Sequence, residues 1–272
     1  MHLTEHADAE AFLARAATFL AAAEAEHNQF YGVTHTLRTT PHVYRRGAWL
    51  ATLEDRGEVV GTALHTPPQA LMVSRMPLAA CALIARARPE AAGVIGPSEM
   101  GEAVAAALGR RPEVEVRMRI HACETVEPVP LAAGTRRVAT SDDAIVLAWR
   151  RAFAEEIRES VPLEGVLERA RVALAAGAFW LWEDDGPASM AALLGPTPRG
   201  IRVAFVYTPA ERRGRGYATS LVAAITAEAL RERRFCFLFT DVANPTSNAI
   251  YARIGYRAVT DVTHYRLVRP GA

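Results

Sequence analysis

The apolar positions of this chain change period from segment to segment, and the changes mark its elements. Over residues 8–26, Phe12, Ala16, Phe19, Leu20 and Ala23 recur at helical spacing, which predicts an amphipathic helix. Two strands are expected next at 48–54 and 58–65, divided by a turn at 55–57, with a third at 70–74 beyond Pro67-Pro68. Helices are predicted at 77–88 and 97–110 around a short Val94-Ile95 strand, and 113–122 closes the half as a strand. The N-terminal residues before the first helix read as a frayed end.

A proline-bearing segment without period, 124–134, then reads as a linker. After it the theme repeats. Asp142 or Asp143 starts a helix to about 157, and another runs over 162–176. Strands at 179–183 and 188–194 flank the turn Asp184-Asp185-Gly186, and 201–207 is the next strand. Residues 216–233 form a helix with Leu221, Ala224, Ile225 and Ala229 on one side. The uncharged run 235–240 reads as a strand covered on both faces. A short helix at 247–254 ends at Gly255, and strands at 256–260 and 262–268 finish the chain. Two α/β halves of similar order are expected, as domains 1–128 and 135–272 joined by 129–134.

Composition narrows the class. No apolar run reaches the ~18–20 residues of a membrane span, and the N-terminus has no basic leader before an apolar core. Cys81, Cys123 and Cys236 are scattered, with no Cys-x-x-Cys pair, so neither a disulfide framework nor a zinc site is expected. A cytoplasmic protein away from the membrane follows. A net charge of +1 argues against a dedicated nucleic-acid binder. All 31 basic residues are arginine, so the chain offers no lysine amine.

The chemistry concentrates between Phe205 and Tyr256. A strand runs into Arg213-Gly214-Arg215-Gly216-Tyr217-Ala218-Thr219, which opens a long helix. Glycines there permit positive φ and close approach of an anion, and successive N–H groups and the helix dipole add positive potential. The Lys-[Ser/Thr] of a nucleotide P-loop is missing, and so is the Gly-x-Gly-x-x-Gly of a dinucleotide fold. About thirty residues on stand Asn244, Ser247, Tyr251, Gly255 and Tyr256. This pair of motifs, Arg-x-x-Gly-x-Ala and Asn-x-x-Ser-x-x-x-Tyr-x-x-x-Gly-Tyr, resembles the GNAT superfamily of acyl-CoA N-acyltransferases, clearly over residues 135–268.

The resemblance implies two tandem GNAT-like domains, each a mixed, mostly antiparallel sheet flanked by helices, with splayed central strands in the C-terminal one. It implies that the amides of Arg213 to Thr219 hold the diphosphate of acetyl-CoA, and that the pantetheine arm pairs with backbone near Val206 and Thr208. Asn244 would bond that arm, with Ser247 in the same motif, and Tyr251 would sit by the thioester sulfur as the acid. The first half reads Ser74-Arg75-Met76-Pro77 where a phosphate loop would stand, as a degenerate copy; an unrelated α/β domain is the alternative.

The base is less defined. The strand before the loop has no Asp or Glu; Glu155 and Glu156 on the preceding helix, Asp241, and a water relay are the candidates, with Glu156 preferred. His2 and His6 have i, i+4 spacing but make no metal site, and no metal is expected. Trp180 and Trp182 share a strand face, as core packing would have them. The leading reading is an acetyl-CoA-dependent N-acetyltransferase for a small-molecule amine. An acyl-CoA sensor without turnover is the second and a nucleic-acid binder the last; a homodimer is left open.

Overall fold

A computed structural model describes residues 1–44, 46–157, 159 and 162–269 of the chain. The elements fall in two successions of the same order. The first runs β1 (His2–His6), α1 (Ala9–Ala22), α2 (Asn28–Thr39), β2 (Trp49–Asp55), β3 (Glu58–His65), β4 (Leu71–Val73), α3 (Leu78–Ala87), β5 (Gly93–Gly96), α4 (Ser98–Ala107) and β6 (Arg111–Cys123). The second runs β7 (Thr135–Val138), α5 (Ala144–Glu156), α6 (Leu163–Ala175), β8 (Phe179–Glu183), β9 (Pro187–Leu194), β10 (Gly200–Tyr207), α7 (Tyr217–Ala229), β11 (Phe235–Asp241), α8 (Pro245–Ile254) and β12 (Arg257–Val268). Both repeat strand, two helices, three strands, then helix and strand twice.

Contacts divide the chain into two units. The first holds Met1–Ile120, Thr240–Asn244 and the residues from Val259 on; the second holds His121–Phe239 and Pro245–Ala258. In the first unit the strand order is β1-β2-β3-β4-β5-β12-β6. The pairing of β4 with β5 is parallel, whereas β1–β2, β2–β3, β3–β4 and β5–β12 are antiparallel. The second unit has the order β11-β10-β9-β8-β7, again with one parallel pair, β10–β11, beside antiparallel ones. Each is a mixed, mostly antiparallel sheet.

Helices cover both faces of each sheet, and the apolar side chains follow. In the first unit Phe12, Leu20 and Phe30 pack with Leu50 and Leu64 on one face, while Ile84, Met100 and Val104 pack with Leu53, Leu71 and Val94 on the other. In the second, Val146, Ala170 and Leu174 lie on Phe179, Leu181 and Met190, and Leu221 and Ile225 lie on Ala191, Val203 and Leu238 on the opposite side. Successive inward positions of one strand thus belong to different cores, which explains the near-continuous apolar runs. Trp182 is buried in the second of these clusters, and its indole N–H donates to the Ala133 carbonyl at 2.9 Å.

Four local differences from the sequence reading have physical causes. The N-terminus is not frayed: His2–His6 pair with Glu54–Leu50 as an antiparallel edge strand. Helix α2 was not anticipated, because NQFYGVTHTLRT is poor in helix formers; its threonines turn their hydroxyls onto the helix's own carbonyls, Thr34 onto Phe30 and Thr36 onto Gly32. The closing 256–268 region is one strand, not two. Finally, the 124–134 segment packs on the second unit. Glu127 N–H donates to Ile254 O, Ala132 N–H to Ser220 Oγ, and Val126, Val129 and Ala132 join that unit's apolar cluster.

Candidate active site

The second unit opens along β10. Gly200, Ile201 and Arg202 pair in parallel with Phe235, Cys236 and Phe237, and the ladder stops there although β10 continues to Tyr207. The central strands are therefore splayed, and the peptide groups of β10 beyond Arg202 face a groove instead of β11. On the other edge, the pairing with β9 jumps from Ala204–Ala192 to Tyr207–Met190, so Phe205 and Val206 form a bulge opposite Ala191. Phe205 carries the bend with a φ of 53°. A left-handed non-glycine residue costs about 1–3 kcal/mol, so the surroundings must hold it.

Beyond β10 the chain passes Thr208, Pro209 and a 3₁₀ turn at Ala210–Arg212 into the glycine loop. Gly214 and Gly216 have φ of 76° and 80°, and Gly216 starts α7 with no side chain capping the helix. Among the described residues, the N–H groups of Gly214 through Thr219 find no acceptor, and residues 213–216 are exposed. Six consecutive N–H donors without an acceptor thus stand at the positive end of a 13-residue helix, a cradle where an anion is favoured. A Cβ at Gly214 would meet nothing within 4 Å, and one at Gly216 only Ala132 Cβ at 3.9 Å, so the approach is clear.

The loop is braced from three sides. The Arg212 guanidinium donates to the Asp184 and Asp185 carbonyls at 3.2 and 3.1 Å, and the Tyr217 hydroxyl donates to Asp184 Oδ2 at 2.5 Å. Asp185 and Gly186 hold positive φ in that hairpin turn. Ser220 Oγ donates to Gly216 O and accepts from Ala132 N–H. Arg213 donates from Nε to Thr208 O at 2.9 Å and from Nη2 to Glu156 Oε2 at 2.7 Å. Arg215 forms no ion pair with a described residue and is exposed.

Tyr251 lies on α8, half-buried, with its ring at 5.9 Å from that of Tyr256 in an edge-on arrangement. Burial pushes its phenol up to about 12, and its hydroxyl bonds to no described residue. Glu156, at the end of α5, spends Oε2 on Arg213. Val206 sits within the bulge, while Thr208 has its carbonyl engaged by Arg213 and its hydroxyl by Ser189 Oγ at 2.9 Å. Ser247 falls in the first turn of α8. Asn244 groups with the first unit and donates its backbone N–H to Asp241 O at 3.0 Å; Asp241 in turn accepts from Ala243 N–H, capping that turn. Of the residues singled out from sequence, the second unit thus joins Val206, Thr208, Arg213–Thr219 and Glu156 at the end of β10, with Ser247 and Tyr251 on α8.

A comparison with protein families matches residues 185–267 to the family described as FR47-like protein. A search of curated protein sequences found no match. Among solved structures, a GCN5-related N-acetyltransferase from Sphaerobacter thermophilus superposes with a TM-score of 0.65 at 17% identity, over 99% of this chain and 97% of that one. An acetyltransferase of the GNAT family from Colwellia psychrerythraea gives 0.60 at 10%, over 98% and 100%. A tandem GNAT protein from the clavulanic acid biosynthesis pathway gives 0.57 at 16%, over 97% and 98%. The chain has the tandem GNAT fold.

The two GNAT copies differ where a ligand would enter. In the first, β4 and β5 do not part: a Cβ on Gly96 would lie 2.4 Å from Val73 O, so the strands close against each other at their ends. Ser74 N–H bonds to Thr62 O, Met76 is buried over Gly61, and Pro77 stands at the start of α3 with no N–H to give. Arg75 pairs with Glu99 at 2.8 Å. The ends of β4 and β5 thus stay together where β10 and β11 part.

Sequence reasoning passed over Phe205 and Arg150. Arg150 stands among Val146, Trp149, Phe153 and Ala154 on the inward stripe of α5 and is 2% exposed. An arginine inside an apolar helical stripe was the available signal.

Proposed function

We propose that the second unit is an acyl-CoA N-acyltransferase, with acetyl-CoA as donor and a small-molecule primary amine as acceptor. The carrying observation is the row of unpartnered N–H groups from Gly214 to Thr219 at the end of a strand that has left its parallel neighbour. The cradle suits a diphosphate, and the splayed edge suits an arm of spaced amides, which would satisfy strand peptide groups as an added strand does. Both features fit one extended ligand.

The chemistry follows from what surrounds the groove. A neutral amine attacks the thioester carbonyl; the N–C bond forms, the C–S bond breaks, nitrogen loses a proton and sulfur gains one. A phenol at about 12 is a weaker acid than a thiol, which titrates near 8.5. Tyr251 therefore acts chiefly as a hydrogen-bond donor to the developing thiolate, and the proton comes ultimately from nitrogen. Glu156 keeps Oε1 for the acceptor ammonium while Oε2 is held by Arg213. Cys236 is buried with its thiol pushed up to about 12, which supports direct transfer over an acyl-cysteine route.

One observation favours a second reading, an acyl-CoA sensor: β10 carries no Asp or Glu, and the Glu156 carboxylate is tied to the loop by Arg213. Thiol release from acetyl-CoA across a panel of amines, run beside calorimetric titration, separates the two. Turnover supports the enzyme, and saturable binding without turnover supports the sensor. Absence of binding removes both.

A further inference from the structure

The left-handed bend at Phe205 lies just past the end of the β10–β11 ladder, and one buried charge sits directly on its ring. The Arg150 guanidinium carbon lies 4.1 Å from the centre of the Phe205 ring and 5.6 Å from that of Phe153. Phe179 stacks near-parallel with Phe205 at 6.1 Å, and Phe153 meets it edge-on at the same distance. Nη2 of Arg150 pairs with Glu159 at 2.6 Å, and the Glu159 backbone N–H is fixed to Ala154 O at 2.8 Å. Nη1 is buried with no hydrogen-bond partner.

That arrangement is a poor way to stabilise a core. A buried arginine with an orphan donor is costly, and a methionine or leucine of like volume fills the same space without the cost. What only a guanidinium supplies is a flat cationic face held on an aromatic ring in a dry setting. The ring so held belongs to the residue whose left-handed backbone produces the bulge and follows the end of the β10–β11 ladder.

We propose that Arg150 is a positioning residue: stacked on Phe205 and oriented by Glu159, it keeps β10 bent away from β11, so the thioester groove is open before any ligand arrives. This rests on the reading of that groove as an acyl-CoA site only for its ligand arm. The conformational claim stands without it.

The test compares wild type with Arg150→Met by amide hydrogen exchange and by acetyl-CoA titration. The expected result is altered exchange confined to Val203–Thr208 and about tenfold weaker acetyl-CoA binding, since releasing a strained bend moves the open state from dominant to minor. Arg150→Lys, which retains charge without the flat face, is expected to recover less than half of the lost affinity on a logarithmic scale. Should Arg150→Met fold poorly, Glu159→Gln makes the same measurement with the stack intact but unoriented. Unchanged exchange at Val203–Thr208 in the substituted protein, or full recovery by lysine, overturns the proposal. If wild type takes up no acetyl-CoA, the acyltransferase reading falls, and the exchange comparison alone decides this one.

Discussion

Gly216 offers the sharpest test of the anion cradle, because its environment lets charge be changed apart from shape. Its φ is 80°, and an added Cβ would meet only Ala132 Cβ at 3.9 Å. Asparagine and aspartate both tolerate the left-handed region and are nearly isosteric. Gly216→Asn therefore measures the cost of a side chain at the cradle, and Gly216→Asp adds one negative charge to it. With the new carboxylate at about 6 Å from a ligand carrying about two charges, Coulomb repulsion is about 1.4 kcal/mol at the dielectric of water and several times more at an effective value of 20. The floor is thus about tenfold in dissociation constant. Calorimetry with acetyl-CoA should be run near 0.01 M salt, where the ~30 Å screening length leaves the repulsion intact, and repeated at 0.5 M, where the gap should shrink. Aspartate at a helix N-terminus favours the dipole, so weaker binding could not be blamed on a weaker α7. Equal affinity of the Asn and Asp proteins at low salt would refute the assignment of the diphosphate to these amides.

Three further outcomes are expected. Tyr251→Phe should lower kcat by about 10- to 100-fold, the loss of one hydrogen bond to a charged group, with little change in KM for acetyl-CoA. With the phenol pushed up to about 12, wild type should show no alkaline limb below pH 10 that vanishes in Tyr251→Phe; finding one refutes the protonated-donor role. Asp143, held well below the usual carboxylate range first by its bonds to Arg137 and then by those to Thr140, contributes stability that is full above its unfolded value of about 4 and fades as pH falls below it. Asp143→Asn should accordingly lower the melting temperature at pH 7, with the difference from wild type narrowing towards pH 2 in a thermal-melt series; a constant difference would contradict the linkage. Gly96→Ala should destabilise by about 1–3 kcal/mol through collision with Val73 O, read by denaturant unfolding, while the folded protein keeps its acetyl-CoA affinity.

What the sequence disclosed depended on whether the cause was local. The loop was legible because glycines at 214 and 216 have few uses other than positive φ, and α7 because its apolar stripe is periodic. The splay could be anticipated only through resemblance, since nothing in GIRVAFVY says that pairing ends at Arg202 or that Phe205 turns left-handed. Helix α2 escaped notice because its threonines disfavour helix in isolation, and Phe30 and Thr34 are fixed by burial instead. The 124–134 segment lacks any period, and single bonds such as Ala132 N–H to Ser220 Oγ span 88 residues. Arg150 was visible as an arginine in an apolar helical stripe, but its ring partner lies far along the chain on strand β10.

The pairing of β12 with β5 bears on how the chain is made. Tyr265 meets Val94, and Tyr265 and Leu267 are buried in the core of the first unit. As the ribosome releases the protein, β5 must wait for roughly 170 more residues before its partner appears, leaving an uncovered strand edge that a neighbouring nascent copy could occupy. Expression of the first succession alone should yield aggregates, and adding residues 257–268 through a designed connector should restore a monodisperse product.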